Sequence, residues 1–268
     1  MKPNDFLKIS ANYEKDSLVQ KSASDELFDL LDIKEANNVL DLGCGTGHLT
    51  KAIREITTGK VVGIDGAEGM IEEAERNYKH LDISFEARPA ADLRYPELFD
   101  VIFCNSAFQW FNPPDPALRS CFAALWNGGR MGIQAPATKM YSPNFIQAVG
   151  NVKAAPETSK TLAHFKEPWF FRETAEEYQS LFESLGFEVA HSRIDRIATS
   201  HTPDEVFKVF DSGAAAGYLN QSYYSIPISE TYIESFREIV RKSFIAQANS
   251  EGKVDLVFFR IYLLARKP

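Results

Sequence analysis

The sequence is poor in the residues and segments that several specialised protein classes require. It has 268 residues and three cysteines, an odd number without Cys-x-x-Cys spacing, so neither a disulfide framework nor a metal site is expected. No segment approaches the ~20 consecutive apolar residues of a membrane-spanning helix, and the first residues lack the apolar core of a secretion signal. These features predict an intracellular, cytoplasmic protein without a membrane span.

Basic residues are fewer than acidic residues. The formal net charge is -8, which argues against a protein that binds the phosphate backbone of nucleic acids. The content of 44% hydrophobic and 25% charged residues is ordinary for a globular protein and sufficient for a sizeable core. We therefore expect a single globular domain, residues 1–268, with an elaboration.

Apolar runs alternate with helical patterns through the first half of the chain. Strands are predicted at 39–42, 61–65, 83–87, 100–104 and 130–134, and two more at 187–197 and 254–265. This alternation predicts an α/β fold, a doubly wound, Rossmann-like sheet of seven mostly parallel strands. Residues 202–250 are helical and rich in tyrosine, and they predict a helical cap inserted between the last two strands.

The strand at 39–42 runs into a glycine loop, Gly43-Cys44-Gly45-Thr46-Gly47. A dinucleotide fingerprint needs a further glycine where His48 stands, which disfavours a nicotinamide dehydrogenase. Asp41 would repel phosphates and attract the ammonium group of an amino-acid-like cofactor. Asp65, at the end of the second strand, suits the two hydroxyls of a ribose. Together the two carboxylates indicate S-adenosylmethionine.

Several segments resemble, in order, the motifs of class I S-adenosylmethionine-dependent methyltransferases. They are VLDLGCGTGHLT, VVGIDGAEGMIEEA, AADL, FDVIFCNSAFQW and LWNGGRMGI, and they define a cofactor-binding core at 37–136. The resemblance implies an N-terminal segment, 1–36, that covers the cofactor, and S-adenosylhomocysteine as the product. The cofactor-binding residues that it implies are Tyr13, Gln20, Asp41, Gly43, Gly45, Gly47, Asp65, Gly66, Met70, Ala91, Asp92, Asn105, Ser106, Ala107, Gln109 and Trp110.

The segments FLKISANYEKDSLVQKSA, CNSAFQW and KVDLVFFRIYLLARKP narrow the resemblance. They are similar to the methyltransferase type 11 subgroup that contains malonyl-carrier-protein methyl ester synthase and trans-aconitate methyltransferase, which methylate carboxylates. A carboxylate has a pKa near ~4 and is already ionised at neutral pH, so it needs no general base. The resemblance thus implies O-methylation of a small or carrier-bound carboxylate by in-line displacement, and no catalytic residue is assigned.

The acceptor pocket is less well defined by the sequence. Candidate contacts to the substrate are Tyr13, Trp110, Arg172, Tyr218, Tyr223 and Tyr224, and Lys139, Arg193 and Arg196 are further cations in the same half of the chain. For the tyrosines, packing within the cap is an equal alternative. His164 and His201 are the histidines to test if an acceptor needs deprotonation.

Asn112-Pro113-Pro114 looks like the start of a base-methylating signature. It lies beyond the end of the fourth strand and is followed by Asp115 where that signature has an aromatic residue. We interpret it as a turn before a helix.

Three alternatives remain open at this point. One is C- or O-methylation of a quinone-like or other small metabolite, since the cofactor half is shared among many acceptor classes. Another is a non-catalytic module that binds S-adenosylmethionine. The third, a nicotinamide enzyme, is the weakest. As partners we expect a small-molecule or carrier-protein-bound substrate, no nucleic acid, and a monomer or weak dimer.

Overall fold

A computed structural model describes residues 18–268 of the protein. These residues form two compact units. The larger unit contains residues 18–139, 169–195 and 260–268. The smaller unit contains residues 140–168 and 196–259. It includes the predicted insertion at 202–250 and adds segments on both sides of it; the predicted division into domains stays a prediction.

Helices and strands alternate along the described chain. The helices are α1 (Leu18–Leu31), α2 (His48–Ile56), α3 (Glu68–Tyr78), α4 (Asp115–Ala124), α5 (Pro143–Ala154), α6 (Pro156–Leu162), α7 (Ala175–Glu183), α8 (Pro203–Ser212), α9 (Ala215–Tyr218) and α10 (Glu230–Ala246). The strands are β1 (Val39–Leu42), β2 (Val61–Asp65), β3 (Ser84–Ala87), β4 (Phe99–Asn105), β5 (Leu125–Pro136), β6 (Glu188–His201) and β7 (Val254–Arg266).

The strands form one seven-stranded sheet in the order β3-β2-β1-β4-β5-β7-β6. Strands β1 to β5 pair in parallel, and β7 pairs with β5 in the antiparallel direction, with Gln134 opposite Tyr262. The order reverses between β1 and β4, and in open sheets of this kind ligands bind at the carboxyl ends of the strands beside such a reversal. The predicted α/β fold with a mostly parallel sheet is therefore confirmed.

The core of the larger unit lies on both faces of this sheet. On one face Leu27 and Leu31 of α1 are fully buried, and they pack against Gly132 of β5, where an added Cβ would come within 2.9 Å of them. On the other face Phe108 and Phe182 pack with ring centroids 5.7 Å apart. Burial of such rings is the main stabilising contribution in domains of this size.

Phe85 of β3 fills space left by two glycines. A Cβ on Gly47 would lie 2.9 Å from its ring, and one on Gly63 would lie 2.7 Å from it. Contacts this short force a neighbour to move. The ring of Phe85 therefore packs directly against the backbone of β2 and of the glycine loop.

The smaller unit has an aromatic core. Phe210 of α8 stacks on Tyr218, with centroids 6.1 Å apart, and on Phe236 of α10 at 6.3 Å. Phe145 of α5 contacts Phe210 edge-on at 5.1 Å. The hydroxyl of Tyr224 donates to the carbonyl of Tyr218 at 2.6 Å, so this core also satisfies polar atoms internally.

Two local expectations need correction. After Pro136 the sequence pattern loosens into a polar, proline-containing stretch and recovers only at Glu173, yet the structure has two helices in this stretch, α5 and α6, each with a proline among its first helical residues, Pro143 and Pro156. Proline fits that position because the first turn has no acceptor for its N–H. The sequence Asn127-Gly128-Gly129 also predicts a turn, but in the structure it lies inside β5, where Gly128 has a φ of +83° and the register with β4 shifts. The Asn112–Pro113 bond is cis and lies in the predicted turn before α4.

None of the helices within residues 18–268 combines the length and hydropathy that crossing a bilayer demands.

Candidate functional site

The loop after β1 approaches the loop after β4 without intervening side chains. Gly43 has a φ of +79°, and a Cβ on it would lie 2.2 Å from the Cβ of Ala107. The N–H groups of Gly43 and Cys44 both donate to the carbonyl of Ile64, at 2.7 and 3.0 Å. Both the backbone conformation and the close approach require glycine at this position.

Gly45 and Gly66 face open space. Gly45 has a φ of +54°, and an added Cβ on either residue would meet no atom within 4 Å. A loop whose backbone is exposed in this way lets a ligand come close to the peptide groups. This cradle at the carboxyl ends of β1 and β2 fits a nucleoside-containing cofactor.

Asp65 connects the two loops that form the cradle. Its Oδ2 accepts a hydrogen bond from the N–H of Gly45 at 3.0 Å, and its Oδ1 accepts from the N–H of Ala67 at 2.8 Å. Burial raises the pKa of this carboxyl, and the two N–H groups oppose the rise. Each carboxylate oxygen keeps a further lone pair, so Asp65 can also accept from a pair of hydroxyls.

Asp41 lies in β1 beneath the loop and is 2% exposed. The hydroxyl of Thr50 donates to its Oδ2 at 2.6 Å. Burial raises the pKa of Asp41 to about 7, although the Thr50 bond acts in the opposite direction and Asp65 adds repulsion. A buried carboxyl of this kind gains most from a cationic partner, because a cation restores its charged form.

Two further elements follow the neighbouring strands: α3 comes after β2, and a short 3-10 helix at 90–92 comes after β3. Met70 is a half-buried residue of α3, whereas Ala91 and Asp92 are exposed. The Asp92 carboxylate accepts from Arg94 at 2.8 Å, and this bond lowers its pKa. The structure therefore keeps Asp92 ionised and open to solvent at this edge.

The end of β4 is backbone-strained. Ser106 has a φ of +55°, and its N–H donates to the carbonyl of Gln134 at 2.7 Å. The Nε2 of Gln109 donates to the carbonyl of Ser106 at 2.8 Å, while its Oε1 is buried without a hydrogen-bond partner among the described residues. Left-handed non-glycine residues of this type concentrate at functional sites.

Trp110 forms an aromatic wall beside this strand end. Its ring and that of Trp169 have centroids 5.8 Å apart, and the N–H of Phe170 donates to the carbonyl of Gln109 at 2.8 Å. The candidate substrate contact Trp110 thus lies next to the candidate cofactor residues of β4.

The candidate cations have other neighbours. Arg172 is exposed, and its guanidinium lies 5.1 Å from the ring centroid of Phe170. Arg193 forms ion pairs with Glu26 and with Asp195. Lys139 and Arg196 are exposed. Their placement leaves their role in substrate binding a prediction.

The candidate tyrosines of the cap belong to the smaller unit. Tyr218 and Tyr224 are 4% and 8% exposed and lie in its aromatic core, whereas Tyr223 is half-buried. His164 contacts the Ser225 hydroxyl at 3.0 Å and His201 contacts the Thr199 hydroxyl at 2.8 Å, both within the same unit. For Tyr218 and Tyr224, packing accounts for the position of the side chain.

Two predicted cofactor residues lie at the edge of what the structure describes. Tyr13 is outside the described residues, and Gln20 is on α1 in the part where only the helix is described.

Sequence analysis missed two buried polar residues, Gln134 and Arg260. Gln134 is fully buried in β5 and Arg260 is 3% exposed in β7. The available signal was a polar side chain inside an apolar strand pattern, because buried polar groups in strands are kept only when they have partners.

Comparisons with known proteins point to methyltransferases. A protein family described as a methyltransferase domain matches residues 39–129. The chain is 34% identical over 110 residues to malonyl-[acyl-carrier protein] O-methyltransferase of Acetivibrio thermocellus, covering 40% of this chain and 39% of that protein. It is 35% identical over 114 residues to trans-aconitate 2-methyltransferase of Variovorax paradoxus, covering 41% of this chain and 43% of that protein. These matches span less than half the length of either relative.

A solved structure shares this fold. Phosphoethanolamine N-methyltransferase 2 of Haemonchus contortus, in complex with phosphomonomethylethanolamine and S-adenosylhomocysteine, matches with a TM-score of 0.60 and 15% identity. The match covers 100% of this chain and 58% of that one. The family match at residues 39–129 contains the glycine loop, Asp65 and the end of β4. Residues 39–129 are therefore similar to a methyltransferase domain, in agreement with the resemblance of these segments to class I S-adenosylmethionine-dependent methyltransferases.

Proposed function

We propose that the protein binds S-adenosylmethionine at the carboxyl ends of β1, β2 and β4 and transfers its methyl group to a carboxylate. The observation that carries the cofactor part is the cradle itself, in which Gly45 and Gly66 expose their backbone and the N–H of Gly45 is bonded to the carboxylate of Asp65. The relatives that support the acceptor part are a malonyl-carrier-protein O-methyltransferase and a trans-aconitate methyltransferase.

Each part of the cradle has a role in this proposal. Asp65 accepts hydrogen bonds from the ribose hydroxyls, and the raised pKa of Asp41 makes it a partner for the cofactor's ammonium group. Met70, Ala91 and Asp92 bind the adenine.

The strand-end group holds the methionine moiety and faces the acceptor. Its residues are Asn105, Ser106, Ala107, Gln109 and Trp110.

The main task of the protein in this reaction is to align the acceptor carboxylate with the methyl group. As a C–O bond forms to the methyl carbon, its bond to the positively charged sulfur breaks and the electron pair stays on sulfur, so no proton has to move. The residues around the strand end therefore need only to orient the carboxylate and exclude competing water. This is why the proposal assigns no general base among the histidines.

The test is a methyl-transfer screen with purified protein and methyl-labelled S-adenosylmethionine. The acceptors are free di- and tricarboxylic acids and a malonylated acyl-carrier protein, with an amine and a phenol for comparison. We expect a labelled product that mild base hydrolyses, as a methyl ester requires. A base-stable labelled product would contradict the carboxylate, and the absence of S-adenosylmethionine binding in calorimetry would contradict the cofactor site.

Two further points belong to the same proposal. The acceptor is a small molecule or a carrier-bound group, and the enzyme acts as a monomer or weak dimer in the cytoplasm. The screen separates the two acceptor forms, and sedimentation with and without the carrier protein measures the assembly.

A further inference from the structure

Polar side chains of three neighbouring strands form a row across the carboxyl end of the sheet in the larger unit. Asn105 of β4 is opposite Gln134 of β5, and Gln134 is opposite Tyr262 of β7. Paired residues point to the same face of a sheet, and so does Arg260, two positions from Tyr262. This face therefore carries Asn105, Gln134 and Arg260 side by side.

The hydrogen bonds along this row of side chains have a fixed donor and acceptor order. With the Gln134 amide oriented so that its oxygen faces Arg260, Nη1 of Arg260 donates to that oxygen at 2.9 Å, and the amide nitrogen donates to Oδ1 of Asn105 at 2.9 Å and to Oγ of Ser106 at 3.1 Å; in the reverse orientation the Ser106 hydroxyl would donate to the Gln134 oxygen instead. An arginine side chain only donates, so the Gln134 oxygen must face it and the amide nitrogen must face the end of β4. Because Gln134 is fully buried, water cannot replace either set of bonds.

This direction determines what the strand end presents to a ligand. Asn105 uses its oxygen toward Gln134, which leaves its NH₂ group as the part that can meet another molecule. The Ser106 oxygen likewise accepts from Gln134 and so keeps its hydrogen for donation. The positive φ of Ser106 holds this arrangement at the end of β4. The strand end is thus set as a pair of donors, which suits an anionic ligand.

We propose that Gln134 is a specificity-determining residue and Arg260 a positioning residue, which together set Asn105 and Ser106 as hydrogen-bond donors to a carboxylate. The inference rests on the proposed function, which places this strand end beside the methyl group. A carboxylate can come from the acceptor or from the methionine part of the cofactor. One acceptor oxygen held by these donors leaves the other free to face the methyl carbon.

Gln134→Glu is the decisive substitution. A glutamate keeps the bond to Arg260, now between opposite charges, but it cannot donate to Asn105 or Ser106 at neutral pH. Asn105 then turns its NH₂ group toward the glutamate and presents its oxygen to the ligand. We expect kcat/KM for the carboxylate to fall about 10- to 100-fold, the range for one charge-assisted hydrogen bond.

Further variants separate direction from packing. Gln134→Met removes both sets of bonds at similar volume, and Arg260→Met removes the group that orients the amide; we expect both to lower kcat/KM about tenfold. Arg266→Met is the matched control, because Arg266 lies on the same strand and is exposed. Titration of each variant with S-adenosylmethionine identifies the source of the carboxylate. An unchanged Kd with a lower kcat/KM indicates the acceptor, and a Kd that rises by the same factor indicates the cofactor.

A readout without turnover keeps this inference separate from the proposed function. In protein labelled with ¹⁵N-glutamine, the side-chain NH₂ of Gln134, assigned by its loss in Gln134→Met, should exchange slowly and shift in Arg260→Met but not in Arg266→Met. Fast exchange, or Gln134→Glu with kcat/KM and Kd within about twofold of the wild type, would overturn the inference. If the wild type methylates no carboxylate but the resonance behaves as expected, the proposed acceptor fails and the orientation of Gln134 stands.

Discussion

The two units of the molecule differ in where their backbone adopts unusual φ angles. Among the described residues, the non-glycine residues with positive φ are Asp32, Glu97, Ser106 and Thr138, all in the larger unit, and the last two follow the ends of β4 and β5. The smaller unit consists mainly of regular helices around stacked aromatic rings. Two of these four strained positions therefore follow strands β4 and β5 at the carboxyl end of the sheet, the edge at which open α/β sheets bind ligands. The aromatic core of the smaller unit constrains mainly the total side-chain volume, so it tolerates exchanges between hydrophobic residues of similar size.

The largest expected effect is that of Gly43→Ala. Its φ of +79° and the 2.2 Å approach to Ala107 leave no room for a methyl group. We expect unfolding to become easier by about 3 kcal/mol, from overpacking and backbone strain together, and S-adenosylmethionine binding to be lost in calorimetry.

The matched control for this variant is Gly150→Ala, in a helix of the smaller unit with open space around it. Alanine should stabilise that helix by up to ~1 kcal/mol. Equal destabilisation by the two substitutions would remove the contrast between the units.

The next effect is that of Asp65→Asn. An asparagine can accept from Gly45 or from Ala67 but not from both, so the loop loses one anchor as well as a charged acceptor for hydroxyls. We expect the Kd for S-adenosylmethionine to rise about 100-fold, the equivalent of one or two charge-assisted hydrogen bonds. Asp82→Asn, at a fully exposed carboxylate, should leave the Kd unchanged.

A pH titration tests Asp41. Its folded pKa of about 7 lies above the ordinary value of 3.8 for an aspartate, so in the ligand-free protein this group makes folding less favourable as pH rises from about 4 to about 7. A bound ammonium group favours the ionised form, so the Kd should increase up to about tenfold for each pH unit below about 7.

Asp41→Asn should remove this pH dependence and bind weakly at every pH. If the Kd of the wild-type protein is the same at every pH between 5.5 and 8, Asp41 does not meet the ammonium group.

The smallest effect on the cofactor is expected for Tyr224→Phe in the smaller unit. The substitution removes the hydrogen bond to the Tyr218 carbonyl and the contact with the Tyr232 hydroxyl at 2.8 Å. Denaturant unfolding should show a loss of about 1–2 kcal/mol, since a buried acceptor is left unsatisfied. The Kd for S-adenosylmethionine should stay at the wild-type value; a change as large as that of Asp65→Asn would contradict the contrast.

The same contrast explains what the sequence can and cannot predict. The strands of the larger unit and the glycine loop were predicted because strand period, glycine and carboxylate positions are each constrained by local geometry. The fold class was confirmed, and the roles of Asp41, Asp65 and the β4 end remain predictions. Helices α5 and α6 were not predicted because the stretch after Pro136 is polar and contains prolines, so its helical periodicity is weak.

Gln134 and Arg260 were missed for a different reason. They are 126 residues apart, counted from their positions in the chain, and only the pairing of β5 with β7 brings them together. A sequence pattern read along one strand does not contain that partnership. The acceptor pocket is hard to predict on similar grounds, because aromatic residues serve equally as core and as lining.

The ring of Phe85 gives the glycine loop a constraint that does not come from the cofactor. It occupies the space in which side chains at positions 47 and 63 would lie. In related sequences these three positions should therefore covary, with larger residues at 47 or 63 only where position 85 is small. Not every glycine of the loop is then explained by cofactor binding alone, because Gly47 is also required by the packing of Phe85 on β3.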